Sequence, residues 1–215
     1  MALLLNPPTT NVITEAELRE WRRMPTAVIS DELNRTCTAD AGIKPLTDTG
    51  PLVGPALTVR TMAGDNLALH HAVASLTPGM VLVIDAGGYH RNAVWGGILH
   101  KAAEKARAAG VIVDGAIRDL AEIRVSPVAC YARSVVPAGP HKGWGGEING
   151  CVQFGGTVVK AGDLVIGDDD GLAFVPYSTR AAILDRCRAR IGMETEILRR
   201  IAAGEKTVDI MGLKV

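Results

Sequence analysis

The sequence predicts an α/β fold, a sandwich of mixed sheets with flanking helices. Helical patterns alternate with short apolar runs of strand length, and glycine-rich hairpin turns are frequent late in the chain. This mixture favours a sandwich over a regular doubly wound sheet. No apolar run approaches the ~20 residues of a membrane span.

Composition indicates a single globular domain with no nucleic-acid or membrane-surface partner. Of the 215 residues, 47% are hydrophobic and 21% are charged, and 23 basic side chains balance 23 acidic ones. Nucleic acids and anionic membranes require a basic face, which a net charge of zero does not favour. We expect one domain over residues 1–215, with an N-terminal arm at 1–12 and a C-terminal helix and tail at 178–215.

The cysteines predict a cytoplasmic protein with reduced thiols. Cys37, Cys130, Cys151 and Cys187 form no Cys-x-x-Cys pair. The N-terminal apolar run lacks a basic start and is too short for a signal peptide. We therefore expect four free, mostly buried thiols.

The N-terminal half of the chain alternates helices and strands. A capping box at Thr14 and Glu17 opens a helix that runs to about residue 23. A second helix is predicted over 25–34. The next predicted elements are a strand at 56–61, a helix at 66–75 and a buried strand at 80–85 that ends in Ala-Gly-Gly.

The helix predicted at 66–75 carries two adjacent histidines, His70 and His71. Neighbours at i and i+1 point in different directions, so a metal site here would need another ligand nearby. Ordinary packing is the favoured interpretation for both side chains.

The most informative stretch of the sequence is Gly96–Glu122. A glycine pair, Gly96-Gly97, precedes a helical pattern that Gly110 ends. An apolar strand at 111–113 follows, and the dipeptide Asp114-Gly115 predicts a sharp turn. The stretch ends on Arg118-Asp119, with Glu122 three residues later.

These residue types suit an anion bound beside a metal. A helix N-terminus made of glycines offers free N–H groups and a positive dipole end. Arg118 can bind the same anion with two parallel bonds, and Asp119 supplies a hard oxygen ligand for a divalent cation. A glycine pair alone is usually a tight turn, and an Arg-Asp pair alone is usually a solvated surface pair. Together they predict a site for an oxyacid on a metal.

The second half of the chain is rich in turns. Gly139–Asn149 is a long glycine-rich loop, either an active-site lid or a subunit contact. The turn at 167–171 gathers three aspartates but lacks the ligand spacing of an EF-hand, so a hairpin turn is favoured over a calcium site. Strands are predicted near 128–133, 152–154, 157–160, 164–166 and 172–175, with 157–160 and 164–166 flanking a turn at 161–163.

A long C-terminal helix is predicted from about Thr179 to Ala203. Its apolar stripe consists of Leu184, Cys187, Ile191, Leu198 and Ile201, and Glu194 falls on the same face. A carboxylate in an apolar stripe indicates a polar intersubunit contact or a side chain that reaches a neighbouring site.

Motifs for several common chemistries are absent from the sequence. There is no G-x-G-x-x-G after a strand, no P-loop, no H-E-x-x-H and no G-x-S-x-G. Nicotinamide, ATP, zinc-peptidase and serine-hydrolase functions are therefore disfavoured.

The pattern of Gly97, twenty intervening residues, Arg118-Asp119 and then Glu122 resembles a known family. That family contains the 4-hydroxy-4-methyl-2-oxoglutarate/4-carboxy-4-hydroxy-2-oxoadipate aldolases and the RraA-type regulators of ribonuclease E. The resemblance extends from about Pro25 to Val215. It includes the segments AGDNLAL, PGMVLVIDAGG, VDGAIRD, the GP-x-K loop and GDLVIGDDDGLAFVP.

The resemblance implies a swivelling β/β/α sandwich that assembles as a trimer or hexamer with sites between subunits. It also implies that Arg118 and the helix start bind pyruvate, and that Asp119 positions Mg²⁺ or Mn²⁺. Glu122 would contact the ligands of the metal, and Glu194 would approach the metal site of a neighbouring subunit. The residues implied to cradle the substrate are Gly96, Gly97, Ile98 and Leu99.

The implied function is a lyase that cleaves a 2-oxo acid to release pyruvate through a metal-stabilised enolate, with oxaloacetate decarboxylation as a side reaction. The alternative is an RraA-type regulatory protein that binds and inhibits a ribonuclease, which would need only a surface. One residue departs from the family pattern. Relatives commonly carry Asp or Glu where this chain has Gly97, and in the aldolases that carboxylate helps orient a water for proton transfer.

Overall fold

A computed structural model describes residues 3–213 of the chain, so the first two residues of the predicted arm and the last two of the predicted tail lie outside the described residues. The strands are β1 Leu4–Leu5, β2 Lys44–Pro45, β3 Leu52–Thr61, β4 Val81–Trp95, β5 Gly110–Ile117, β6 Ala129–Val135, β7 Gly146–Ile148, β8 Cys151–Phe154, β9 Thr157–Lys160, β10 Leu164–Gly167 and β11 Leu172–Val175. The helices are α1 Glu15–Trp21, α2 Thr26–Glu32, α3 Leu67–Ala74, α4 Gly97–Lys105, α5 Leu120–Arg124, α6 Arg180–Ala202 and α7 Thr207–Ile210.

The strands form a mixed central sheet with the order β1-β7-β3-β4-β5-β6-β2. The four strands β3, β4, β5 and β6 are parallel, whereas β7 and β2 join them antiparallel. The first half of β3 also pairs with β10, which forms a hairpin with β11. The prediction of mixed sheets with flanking helices is confirmed.

Both faces of the central sheet are buried. Along β4, Leu82 and Ile84 pack against α3 and α4, while Val81 and Val83 face the β8–β9 and β10–β11 hairpins. Successive side chains of a strand point to opposite faces, so a strand covered on both sides needs a continuous apolar run. This requirement explains the sequence Val-Leu-Val-Ile at the start of β4.

The β10–β11 hairpin forms a layer of its own between the central sheet and a second group of helices. Leu172 and Phe174 face the sheet, whereas Ala173 and Val175 pack against α1, α2 and α6. The resulting order of layers is helices, central sheet, hairpins and helices. Helix α6 contributes to this packing only through its first half, since Leu198 in its second half is 64% exposed.

Two sequence predictions around the glycines were wrong. Strand β4 does not end at Ala-Gly-Gly but continues to Trp95, because Gly87 and Gly88 adopt positive φ angles and the pairing with β5 shifts its register beyond them. Asp114-Gly115 is not a turn but part of β5. A Cβ at Gly115 would lie 2.9 Å from Ala86 Cβ, so this glycine permits a close approach of two strands.

Pairing in the second half also differs from the prediction. Thr157–Lys160 pairs with β8 across Gly155 and Gly156, and not with β10. The glycine-rich loop contains a short strand, β7, that pairs with β3. The hairpin turn predicted at 167–171 is confirmed. Of the cysteines, all free, Cys130 and Cys187 are buried, but Cys37 is half-buried and Cys151 is exposed, so the prediction of mostly buried thiols was wrong.

None of the described helices has the combination of length and apolar character that a membrane span requires.

The turn at 167–171 has a structural role through Asp168. Its Oδ2 accepts a hydrogen bond from the Thr26 N–H at 2.8 Å, and its Oδ1 accepts one from the Thr26 hydroxyl at 2.6 Å. Thr26 is the first residue of α2, where backbone N–H groups lack partners within the helix. Asp168 therefore caps α2 from a distant part of the chain.

We expect Asp168→Ala to lower the free energy of unfolding by about 1–3 kcal/mol, because the buried Thr26 would lose both acceptors. The measurement is urea unfolding. Asp169→Ala, at an exposed position of the same turn, is the matched control and should change stability by less than ~0.5 kcal/mol. Equal effects of the two variants would contradict the capping role.

Candidate functional site

The candidate site forms where β5 ends beside the start of α4. The Arg118 N–H donates to Trp95 O at 3.0 Å, which joins the residue after β5 to the end of β4. Asp119 follows with φ 59° and ψ 37°, a left-handed conformation that Asp tolerates better than most residues. This backbone places the Arg118-Asp119 pair against the N-terminus of α4.

Asp119 binds the N-terminus of α4 directly. Its Oδ2 accepts a hydrogen bond from the Gly97 N–H at 2.9 Å and lies 3.6 Å from Arg118 Nε. The first bond within α4 is donated by His100 to Gly96 O at 3.0 Å. The N–H groups of Ile98 and Leu99 precede that bond, so they are the helix donors left for an anion.

The two glycines before and in α4 are needed for space. Gly96 has an extended backbone that any residue could adopt, but a Cβ there would lie 2.7 Å from Asp119 Oδ2. A Cβ at Gly97 would overlap Glu122 Oε2. The carboxylate of Glu122 therefore occupies the place that a side chain at position 97 would take.

A small pocket, open to solvent, lies at this helix start. Ile98 is 79% exposed at its edge, whereas the side chain of Leu99 is buried, so only the backbone of Leu99 can meet a ligand. The lining residues are Asn66, His70, Val94, Trp95, Gly96, Ile98, Leu99, Arg118, Asp119, Pro140 and Lys142.

The structure brings most of the predicted site residues together. One pocket is lined by Gly96, Ile98, Leu99, Arg118 and Asp119, whereas Gly97 and Glu122 line an adjoining pocket. Glu194 is not part of this cluster. It lies on α6 and pairs with Arg190 at 3.3 Å, so its predicted role would require a second subunit.

Sequence reasoning missed six lining residues of the pocket, among them Asn66, His70 and Lys142. Asn66 precedes α3, and His70 lies one turn further along the same face. Lys142 comes from the glycine-rich loop, which therefore borders the pocket. The Asp65 carboxylate holds that loop by accepting hydrogen bonds from the N–H groups of Gly143 and Trp144 at 2.7 and 3.2 Å. An aspartate beside the start of α3 and a lysine in a glycine-rich loop were the available sequence cues.

The donor set of the pocket fits a hydrated, hard cation. The described residues contain no group of three or more His, Cys, Asp or Glu side chains that could enclose a metal. Asp119 is 40% exposed in the pocket, and Glu122 lies beside Gly97 in an adjoining pocket. Mg²⁺ commonly binds through one or two carboxylates and keeps several waters, whereas a structural zinc site needs four protein ligands.

A buried histidine supports the pocket from behind. His100 is 3% exposed, and its Nδ1 accepts a hydrogen bond from Trp95 Nε1 at 3.3 Å. Because Trp95 lines the pocket, this bond helps to fix one of its walls. Burial lowers the pKa of His100, and the nearby Glu104 partly offsets that effect.

This lowered pKa predicts a pH dependence of stability. The unfolded chain takes up a proton at His100 below about pH 6.5 that the folded chain does not, so His100 should cost stability as the pH falls through that range. The loss of unfolding free energy between about pH 7.5 and 5 should therefore be smaller in His100→Phe than in the wild type. His71→Gln, on an exposed face of α3, is the control. Identical pH profiles for the wild type and His100→Phe would refute this assignment.

Comparison with known proteins gives consistent matches. A family profile described as RraA-like, Aldolase/RraA, matches residues 26–174. A Halalkalibacterium halodurans protein provisionally named 4-hydroxy-4-methyl-2-oxoglutarate aldolase is 35% identical over 173 residues, which is 80% of this chain and 82% of that protein. The 4-hydroxy-4-methyl-2-oxoglutarate aldolase of Thermus thermophilus is 34% identical over 112 residues, which is 52% of this chain and 68% of that enzyme. The solved structure of the RNA-processing inhibitor RraA, also from Thermus, matches with a TM-score of 0.65 and 30% identity, covering 71% of this chain and 92% of that one.

Proposed function

This chain belongs to the RraA-like family, and we propose that it is a divalent-metal-dependent lyase that cleaves a 2-oxo acid and releases pyruvate. The observation that carries the proposal is the convergence of Arg118, Asp119 and the open N-terminus of α4 on one pocket. The similarity to named aldolases supports the same reaction class.

The pyruvyl end of the substrate would bind between α4 and Arg118. The N–H groups of Ile98 and Leu99, at the positive end of the helix dipole, would receive its carboxylate. The guanidinium of Arg118 would bind the adjacent oxygens with two donors in a fixed geometry. Gly139 leaves room for this guanidinium, because a Cβ there would lie 2.6 Å from Arg118 Nη1.

Asp119 would hold Mg²⁺ or Mn²⁺, together with waters, beside the bound 2-oxo acid. When bound, the cation would supply the positive charge that favours an enolate over the intact substrate. Asp119 is positioned for this role because Gly97 N–H and the left-handed backbone fix its carboxylate. Glu122 would contact the metal's water ligands, and Glu194 would do so only from a neighbouring subunit.

Carbon–carbon cleavage also requires proton transfers. A hydroxyl of the substrate must lose its proton as the bond breaks, and the carbon left on the pyruvyl fragment must gain one. We assign this transfer to a water held by Glu122, because its carboxylate occupies the space of the side chain that Gly97 lacks. Glu122 lines the adjoining pocket with Gly97, so it would supply a second carboxylate beside the helix start although it does not line the pocket of Arg118.

The direct test is an assay of pyruvate release from a panel of 2-oxo acids that includes 4-hydroxy-4-methyl-2-oxoglutarate and oxaloacetate. We expect turnover with Mg²⁺ or Mn²⁺ and its loss with a chelator. Turnover that a chelator leaves unchanged would refute the metal dependence. The absence of turnover across the panel would refute the lyase.

We expect Asp119→Asn to reduce metal-dependent kcat/KM by at least ~10²-fold, since an amide keeps the Gly97 bond and tolerates the left-handed backbone but loses the charge. Calorimetric titration with Mn²⁺ should show weaker binding. Asp169→Asn, at a distant exposed site, is the control for charge. Wild-type turnover in Asp119→Asn would rule out this metal position.

Arg118→Lys should weaken substrate binding by about 1.5–3 kcal/mol, because lysine keeps the charge but loses the paired donors. Steady-state kinetics would show this as a raised KM. Arg91→Lys, an exposed change outside the pocket, should leave KM unaltered. An unchanged KM in Arg118→Lys would contradict the proposed anion site.

The proposed assembly is a trimer or hexamer. Val125 and Val135 are 85% and 43% exposed on either side of Arg118-Asp119, and an apolar surface of this kind is usually covered in an oligomer. Light scattering at micromolar concentration should give a mass of three or six chains. A monomer would contradict both the assembly and the role of Glu194.

The alternative function is inhibition of a ribonuclease, which the name of the Thermus structure attributes to that protein. A regulator would need its surface and not the pocket. The Arg118 and Asp119 variants should then inhibit a ribonuclease as well as the wild type does, while the wild type releases no pyruvate.

A further inference from the structure

The adjoining pocket, which Gly97 and Glu122 line, contains a buried imidazole. His100 lines this pocket and does not line the pocket of Arg118. The other polar residues of the lining are Lys101, Glu104 and Ser126. Two carboxylates, an imidazole, an ammonium group and a hydroxyl therefore share one opening to solvent beside the start of α4.

The tautomer of His100 is fixed by Trp95. An indole Nε1 can only donate, and it lies 3.3 Å from His100 Nδ1, so this nitrogen is the acceptor. A neutral imidazole whose Nδ1 accepts carries its proton on Nε2. Burial lowers the pKa of His100, which keeps the ring neutral near neutral pH. The Nε2–H group is therefore a donor.

That donor has no acceptor among the residues that the structure describes. His100 is 3% exposed, and its Nε2 is a buried atom without a hydrogen-bond partner. A buried polar group of this kind is normally completed by a side chain or a water. Since the ring lines the adjoining pocket, an acceptor can reach Nε2 from that side.

Helix geometry favours Glu122 as the acceptor. Side chains of an α-helix lean toward its N-terminus, and the bond from Trp95 to His100 shows that this ring does so. Residues three apart on a helix are neighbours, with about 5–6 Å between their Cβ atoms. Glu122 Oε2 lies beside the position that a Cβ of residue 97 would take, three residues before His100. A single water can join two groups at this separation.

The other carboxylate of the adjoining pocket, that of Glu104, already has a partner. Its Oε1 accepts a hydrogen bond from Lys101 Nζ at 2.7 Å. The carboxylate of Glu122, by contrast, forms no hydrogen bond or ion pair within residues 3–213. An unpaired donor and an unpaired acceptor therefore line the same pocket.

We propose that His100 is a positioning residue for proton transfer, and that its Nε2–H group orients the Glu122 carboxylate through a water in the adjoining pocket. One oxygen of Glu122 would accept from that water, and the other would hold the water that exchanges protons with the substrate. His100 keeps its own proton throughout and touches no substrate atom. This inference rests on the proposed function, because it assumes the proton transfer assigned to Glu122.

Two amide substitutions separate the roles of the two ring nitrogens. Asparagine can place its oxygen near the position of Nδ1, so His100→Asn keeps an acceptor for Trp95 and loses the outer donor. Glutamine is longer and can place its NH₂ group near the position of Nε2, so His100→Gln keeps the outer donor. If His100 only supported Trp95, asparagine would be the better replacement, whereas the proposed role requires glutamine to be the better one.

The kinetic test measures pyruvate release by these two variants. In His100→Asn we expect kcat to fall by about 10-fold or more, the scale of one lost hydrogen bond, with KM unchanged because the substrate binds in the other pocket. The solvent deuterium isotope effect on kcat should rise, since proton transfer becomes slower. His100→Gln should restore most of kcat. Glu104→Gln, which changes the other carboxylate of the adjoining pocket, is the matched control and should leave kcat unaltered.

A second measurement needs neither metal nor substrate. NMR of the histidine side-chain N–H groups in the metal-free protein would detect the Nε2–H resonance of His100, which is assigned by its loss in His100→Gln. Glu122→Gln should shift this resonance more than Glu104→Gln does, because it removes the charge from the proposed acceptor.

The remaining outcomes would overturn the proposal. A retained kcat in His100→Asn, or an equal loss in both His100 variants, would show that the outer nitrogen has no separate role. A resonance that responds to Glu104→Gln and not to Glu122→Gln would assign the donor to the wrong partner. If the His100 variants do not fold, the NMR comparison decides alone, because it leaves His100 in place. No turnover by the wild type on any 2-oxo acid would overturn the proposed function, and this inference with it.

Discussion

The candidate site depends on one packing constraint, the contact between acidic side chains and a helix start that has no side chains of its own. Asp119 and Glu122 approach α4 closely because Gly96 and Gly97 leave room for their carboxylates. The hydrogen bond from Gly97 N–H to Asp119 neutralises part of the positive end of the helix and fixes the carboxylate. A methyl group at either glycine would overlap these carboxylates, so the side chain of Asp119 or Glu122 would have to move.

Local patterns predicted the parts of the fold that depend on local physics. The capping box at Thr14 forms, with its hydroxyl accepting the Glu17 N–H at 3.2 Å, and the apolar runs of β4 and β5 are strands buried on both faces. What failed was the interpretation of glycines. Gly87 and Gly115 looked like chain reversals, but one bends a strand and the other permits two strands to approach. These uses depend on partners far along the chain, which a local pattern does not contain.

The residues of the candidate site likewise divide into those that a local pattern predicts and those that it does not. Arg118 and Asp119 could be identified from sequence because the glycines that they contact, Gly96 and Gly97, precede them at a fixed spacing. Asn66 and His70 come from the start of α3 and Lys142 from the glycine-rich loop, which the Asp65 carboxylate and the backbone of His141 join to that helix start. His70 was taken for a packing residue because the opposing loop could not be placed from sequence. A ligand pocket built from two distant segments becomes visible only once the sheet brings them together.

The overlap between Glu122 and a side chain at position 97 has a consequence for how such sites diverge. The Glu122 carboxylate on α5 fills the space beside position 97 on α4. A side chain at position 97 could enter that space only if Glu122 moved. The Glu122 side chain is flexible and could move aside for a residue at position 97, and an acid on α4 with a small residue on α5 would place the charge on the other helix. The paired exchange Gly97→Asp with Glu122→Ala would move the carboxylate from α5 to α4. It would change the side from which the negative charge reaches the helix start and leave the net charge of the protein unaltered.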